Sequence, residues 1–448
     1  FGRVALTTVL GRPAYRFASP YGSATVFADT GEPLDEIDVD TARGVAAQFV
    51  GANVGDVALE RMVERPDQWT LQLGRDLPLY KLAVHDGAGT EVYVSPYQGD
   101  VRLVTTTKAR TLAWIATIPH WFYITPLRTN QPLWYWTVVA TSALGCLLAL
   151  LGLVLGVTQF HKSKPFRWSS AVRYQGWMRW HYISGAFFGV FALTWVFSGL
   201  LSMEPFDWAN ADGLTIRGDA LTGGPVELEQ FPPFAAEQWS ALLAGRTLKE
   251  LEFRRIDDAP YYLARYTETG TDLFSEENKS VPVSEPRRER LHQPYAITGR
   301  AEPQHMLVDA RTLAVRTEPF PTEALLARLR AAAPDANIVT HELLADYDAY
   351  YYSRDRQAAL PVLRVKFDDP LETWVYVDPE LGQVVASIHR LHRVERWLYN
   401  GLHSLDFKFW YDRRPLWDIG MIVLSLGALV TSTIGFWLGL KRLRRGLA

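Results

Sequence analysis

Residues 77–101, LPLYKLAVHDGAGTEVYVSPYQGDV, and residues 360–384, LPVLRVKFDDPLETWVYVDPELGQV, decide the fold, because they read as one pattern written twice. At a constant offset of 283 the match runs without a gap from 77–134 onto 360–417, and sixteen of these 58 positions are identical. It continues beyond the strand-like part. Trp114, His120 and Pro132-Leu133-Trp134 lie over Trp397, His403 and Pro415-Leu416-Trp417, and Gly152 and Gly156 lie over Gly435 and Gly439. An internal repeat changes the architecture that every later assignment must satisfy. Here the repeated unit is a β-rich domain, a short aromatic segment with one histidine, and an apolar helix.

The apolar runs set the class. Leu133–Val157 and Ile419–Leu440 carry no ionisable side chain other than Tyr or Cys, and Trp180–Met203 adds one histidine. Each is longer than the roughly 20 residues that cross a hydrocarbon layer, with tryptophans near the ends where interfacial aromatics belong. The sequence therefore predicts a membrane protein with transmembrane helices at 132–157, 180–203 and 416–440. Lys162, Lys164, Arg167, Arg173 and Arg179 follow the first run, and KRLRRGLA follows the third. Positive charge marks both the 158–179 loop and the 441–448 tail as cytoplasmic. Residues 1–104 and 204–388 then form two external α+β domains, joined to the membrane by interfacial segments 105–131, with His120, and 389–415, with His403. The stretch from about 273 to 303 has no counterpart in the first copy and reads as an inserted surface loop.

Both copies run from outside to inside, so they are parallel repeats related by a pseudo-twofold axis along the membrane normal. An ascending helix precedes the second copy. Symmetry thus predicts another upstream of Phe1, giving a four-helix bundle of which this sequence supplies three.

Composition narrows the chemistry. A net charge of −3 with 13% aromatics and sixteen tryptophans gives no sign of nucleic-acid binding. Cys146 is the single cysteine, so disulfides, Cys-rich metal sites and CxxCH haem attachment are excluded. In the first domain AYRFASPYGSATVFADTGEPLDEID reads as strand, turn, strand, TEVYVSP as a strand, and TARGVAAQFVGA as a helix started by Asp40 or Thr41. In the second, APYYLARYT and QHMLVDARTLAV are strands, TEALLARLRAAA a helix, and LPVLRVKFD with TWVYVDPELGQVV a hairpin.

A lone interfacial histidine such as His403 reads as an amphipathic anchor. Its pairing with His120 changes that, because equivalent residues about the pseudo-twofold share one depth and can face each other across the axis. Two imidazoles so placed are what a bis-histidine haem requires; a packing residue kept in both copies is the plainer alternative. His181 is an ionisable group within a span, and such groups are costly to bury and therefore functional candidates. Gly185 and Gly189 share its helix face, where small residues either admit a flat macrocycle or bring helices together. As ligand of a second haem on the cytoplasmic side, His181 would pair with the upstream helix. His161 is the fallback partner, although FHKSKPF also reads as a basic interfacial loop. Arg128, Arg413 and Arg414 flank the Pro-Leu-Trp triplets, where a guanidinium grips either a haem propionate or lipid headgroups. Asp418 caps the last helix or relays protons. His389 and His392 lack counterparts in the first copy and read as a solvated basic face or as contacts to haem carboxylates. Tyr347 and Tyr350 to Tyr352 form either a docking surface for a bulky ligand or packing between domain and bundle.

Several segments together carry a family resemblance: GRPAYRF with FADTGEPL within 11–34, RWHYISGAFFG at 179–189, YDAYYYSR at 347–354, TWVYVDPELG at 373–382, and RWLYNGLHSLDF followed by RPLW. In these the chain resembles the PepSY-associated transmembrane family of bacterial inner-membrane proteins. The resemblance implies periplasmic PepSY domains alternating with four helices. Its ferric-siderophore reductase branch implies non-covalent haem b, two per chain here, held by paired histidines. Electrons would then pass from a cytoplasmic or membrane donor to a periplasmic acceptor such as a ferric siderophore. The family's first helix, which opens with a His-Arg-Trp-like sequence, has no match in this chain. The alternative is a non-enzymatic PepSY membrane regulator, chaperone or assembly subunit of a larger complex. A transporter would call for charged or broken helices at mid-membrane, and these runs are continuous.

Overall fold

A computed structural model describes residues 2–19, 22–160, 172–207, 214, 216, 220–268, 304–352 and 358–446 of the chain. His161, Lys162, Lys164 and Arg167 of the basic loop, and the expected insertion at 273–303, lie outside the described residues.

Three helices, Gln131–Thr158, Gly176–Leu201 and Leu416–Gly446, are long and apolar enough to cross a membrane. The second begins one turn earlier than the apolar run suggests. The third runs on through Lys441–Arg445, because Lys and Arg are good helix formers and no Gly or Pro stops them earlier. The second span packs against both others. At the crossings, a Cβ on Gly145 would come 2.9 Å from Val196 Cγ1, and the Phe188 ring fills the space beside Gly427. Gly185 faces Thr431, and Gly189 faces Leu153. Of the two roles open to these glycines, room for a macrocycle or close helix packing, the contacts are those of packing. Leu147, Leu148, Phe187, Leu429 and Phe436 stay exposed, as a face turned to lipid tails requires.

Two four-stranded antiparallel meanders recur along the chain. One is β4 (Val57–Val63), β5 (Leu79–Val84), β6 (Thr90–Val94) and β7 (Val101–Thr105); the other is β12 (Ile338–Leu344), β13 (Val362–Phe367), β14 (Trp374–Asp378) and β15 (Gln383–Ile388). Their registers correspond at the offset of 283: Tyr80 opposes Val94 as Leu363 opposes Val377, and Val94 opposes Val101 as Val377 opposes Val384. Each breaks register at the same place, between Tyr93 and Val94 and between Tyr376 and Val377. A helix covers each meander. Val39–Val50 contributes buried Ala42, Ala46 and Ala47 against Val57, Leu82 and Val92; Thr322–Ala332 contributes Leu325, Leu326 and Leu329 to the core that holds Val365 and Val375. The first of these helices is capped by Asp38, whose carboxylate accepts the Thr41 amide at 2.8 Å, and not by Asp40 or Thr41. Asp40 already lies in the first turn, where its charge faces the helix N-terminus.

A seven-stranded sheet joins the remaining strands in the order Val315–Arg316, Gln304–Asp309, Ala259–Glu268, Arg246–Ile256, Arg3–Val9, Arg12–Ser19, Gly22–Phe27. Here β1 (Arg3–Val9), β2 (Arg12–Ser19) and β3 (Gly22–Phe27) meet β8 (Arg246–Ile256), β9 (Ala259–Glu268), β10 (Gln304–Asp309) and β11 (Val315–Arg316). The central pair, β1 and β8, is antiparallel, with Val4 opposite Phe253 and Leu6 opposite Leu251. Strand pairing thus crosses the expected boundary between domains 1–104 and 204–388. Both β1 and β8 end a hairpin with an open ladder of backbone donors and acceptors, and pairing the two removes both edges.

A charge cluster locks that seam. Glu252, 6% exposed, receives Arg254 Nε at 2.7 Å and Arg3 Nε at 3.1 Å, and lies 3.0 Å from Arg265. Burial alone would raise its pKa, but Arg254, Arg3 and Arg265 outweigh it and bring the carboxyl from its ordinary 4.5 down to about 2. A folded-state pKa below the unfolded one stabilises the fold above the unfolded pKa and loses that stability as pH falls through the folded one. The contribution, about 3 kcal/mol, is therefore lost between about pH 4.5 and pH 2. Glu252→Gln should lower the melting temperature at pH 7 and flatten its fall over that acid window, read by tryptophan fluorescence of the full-length protein. A mutant with the wild-type acid profile would contradict this.

Candidate functional site

Each meander leads into a chain of short helices that ends in a span. After β7 come Thr107–Ile115, then Thr117–Trp121 carrying His120, then Thr125–Arg128. After β15 come Arg390–Arg396, a π-helical turn Trp397–Gly401, Leu402–Ser404 carrying His403, and Lys408–Tyr411. Two residues past each histidine a non-glycine residue adopts the left-handed conformation, Phe122 at φ 53° and Leu405 at φ 49°, and stops the helix. The Pro-Leu-Trp tryptophans then tie span to histidine. Trp134 Nε1 donates to Trp121 O at 2.9 Å, and Trp417 Nε1 donates to Ser404 O at 3.1 Å. An indole N–H so placed satisfies a carbonyl that a helix end leaves without an intrahelical partner.

The structure brings the two histidines together. The ring centroids of His120 and His403 are 5.8 Å apart, with the planes inclined at 54°. His403 is held from the second span, its Nδ1 lying 3.2 Å from Trp195 O and 3.0 Å from Ser198 Oγ. A carbonyl only accepts, so Nδ1 carries the proton and Nε2 the lone pair. The ring also stacks on Tyr399 at 5.1 Å, and glycine at 199 leaves it room, since a Cβ there would sit 3.9 Å from Cε1. His120 keeps an exposed edge and meets Trp121 at 6.4 Å. Desolvation by its surroundings lowers its pKa and favours the neutral ring that metal ligation needs.

The centroid separation of the pair is compatible with axial ligation of an iron porphyrin. Imidazole nitrogens about 2 Å from a metal on opposite sides place the ring centroids ~6 Å apart, with free choice of the angle between planes. The observed separation is close to that value.

His181 is arranged similarly near the Gly176 end of the second span. Its Nδ1 lies 3.1 Å from Thr431 O, again leaving Nε2 as the lone-pair nitrogen, and its ring occupies the notch at Gly435, where a Cβ would come 2.8 Å from Cε1. Its fallback partner, His161, lies outside the described residues. Gly435→Ala should push the ring aside and destabilise the protein by about 1–3 kcal/mol, as overpacking does. Gly439→Ala, which adds a methyl to open space, should leave the melting temperature unchanged; equal effects of the two substitutions would contradict the assigned packing.

The expected propionate-binding arginines brace tryptophans. Arg128 lies over Trp134 at 4.4 Å and Tyr123 at 5.1 Å, while Arg414 lies over Trp417 at 4.2 Å and pairs with Asp418. Each covers the first tryptophan of its span. Asp418 is accordingly an ion-pair partner one turn away rather than a cap. His389 and His392 stack at 3.5 Å, and His389 Nδ1 accepts the His392 amide at 3.3 Å. His389 is thus the N-cap of its helix, as Thr106 is in the first copy, where it accepts from Ala109.

The tyrosine-rich segment packs against the His403 segment. Tyr352 OH donates to Asp406 Oδ2 at 2.6 Å, Trp397 Nε1 donates to Tyr350 OH at 3.2 Å, and Arg396 reaches Ala349 O at 2.8 Å and Asp406 O at 2.9 Å. Arg396, Asp406, Trp195 and Ser198 are site residues that reading the sequence did not single out. Asp406 stands over Tyr123 at the common offset, so the comparison that exposed the histidines passes over it.

No protein-family profile, curated protein or solved structure matches this chain.

Proposed function

We propose that this chain is a di-haem b transmembrane electron-transfer protein of the PepSY-associated type, resident in a bacterial inner membrane. Its large domains face the periplasm and its C-terminus the cytoplasm. The observation that carries the reading is the His120–His403 ring pair, whose 5.8 Å separation suits two axial ligands of one iron. The shared register and register break of the two meanders support a parallel internal duplication, which accounts for a symmetric ligand pair. His181 would ligate a second haem nearer the cytoplasmic face, with His161 as its fallback partner.

Bound haem supplies a one-electron iron couple. This chain orients the ligand rings, with Nδ1 of His403 and of His181 donating to carbonyls of neighbouring helices. The exposed edge of His120 gives an external acceptor its approach. A ferric siderophore suits that side, because ferrous iron is held more weakly and leaves its chelator.

Purified full-length protein should be coloured, show a b-type reduced-minus-oxidised spectrum, and be reoxidised by a ferric siderophore. A colourless preparation from haem-replete cells would sink the proposal and favour a membrane regulator or assembly subunit.

A further inference from the structure

We infer that Ser198 is a positioning residue for His403, sharing its Nδ1 proton with the Trp195 carbonyl and so setting its strength as a ligand from the second span. The hydroxyl is fully buried near the Leu201 end of an apolar helix. Other hydroxyls of that helix and its C-cap bond to their own backbone: Ser184 to Trp180 O, Thr194 to Phe191 O, and the C-cap Ser202 to Gly199 O. Ser198 donates in the same way, to Trp195 O at 3.0 Å, and its oxygen also lies 3.0 Å from His403 Nδ1. A hydroxyl donates one hydrogen bond while accepting others. Because the Oγ proton goes to the carbonyl, its lone pairs are left to accept the Nδ1 proton. His181 lacks this arrangement, since it meets the Thr431 carbonyl while the Thr431 hydroxyl turns to Gly427 O. The two histidines therefore differ in their supporting groups, and one serine separates them.

A hydrogen bond accepted from Nδ1–H makes Nε2 a stronger donor to a metal. On the haem reading, which this part of the inference rests on, the stronger donor favours ferric iron. Removing it should raise the midpoint potential of the His403 haem and leave the other alone.

The test is a redox titration of the full-length protein carrying Ser198→Ala or Ser198→Thr. Ser198→Ala should raise the reduced-to-oxidised ratio of one haem about tenfold at its wild-type midpoint, ~59 mV for one electron, while Ser198→Thr, which keeps the hydroxyl, titrates like wild type. Unchanged potentials in Ser198→Ala, or equal shifts in both variants, would overturn the inference without touching the haem reading. A protein without haem would overturn that reading, and positioning is then decided by NMR of the 15N-histidine-labelled chain. His403 should be Nδ1-protonated with slow proton exchange, faster in Ser198→Ala; an Nε2-protonated ring, or exchange unaffected by the substitution, would overturn it.

Discussion

On the haem proposal, His403→Ala should remove one haem of two, and His120→Ala should remove the same one. The two rings lie 5.8 Å apart, so on that proposal each would supply one axial ligand of a single iron, and losing either would break the same site. Haem there should fall at least tenfold in affinity, since even supporting residues around a metal are worth ten- to a hundredfold. The readout is the haem-to-protein ratio by pyridine haemochrome, with a potentiometric titration to show which component has gone. His181→Ala should remove the other component. If His120→Ala and His403→Ala deplete different haems, the pairing is wrong even if the protein is a cytochrome.

Asp406→Ala should be the most damaging single change outside the ligands. Asp406 is 2% exposed, accepts from Tyr352, and lies 3.6 Å from the Arg396 guanidinium, itself 11% exposed. Removing the carboxylate leaves a buried cation without that countercharge, a loss worth about 3–5 kcal/mol, and frees Tyr352 from the segment that carries His403. The expected result is a large fall in melting temperature together with loss of haem from the His403 site. Asp406→Asn retains an acceptor for Tyr352 and should lose less. If Asp406→Ala melts like wild type, the tyrosine-rich segment does not anchor the site.

The parts of this molecule that were legible in the sequence are those written as long-range periodicity. Apolar runs marked the three spans to within two turns, because a membrane helix must be apolar over its whole length. The 283 offset brought out His120 with His403, because repeated spacing is recorded in the sequence itself. What depends on a partner strand or a neighbouring helix was not legible. Val4 and Leu6 alternate as any half-buried strand does, and nothing local names Leu251 and Phe253 as their opposites. Gly185 and Gly189 have the spacing of a cofactor notch and of a helix crossing alike, and Thr431 and Leu153 decide between them. Ser198 resembles every other hydroxyl in its helix until His403 is placed beside it. The cap at Asp38 lay within reach, but Asp40 and Thr41 are equally capable residues two and three positions on.

The most direct measurement is an anomalous difference map at the iron edge from crystals of the full-length protein. A peak between the His120 and His403 rings, about 2 Å from a nitrogen of each, is the predicted result. Iron-replete crystals with no peak there, or with the two rings in contact and no density between them, would contradict it.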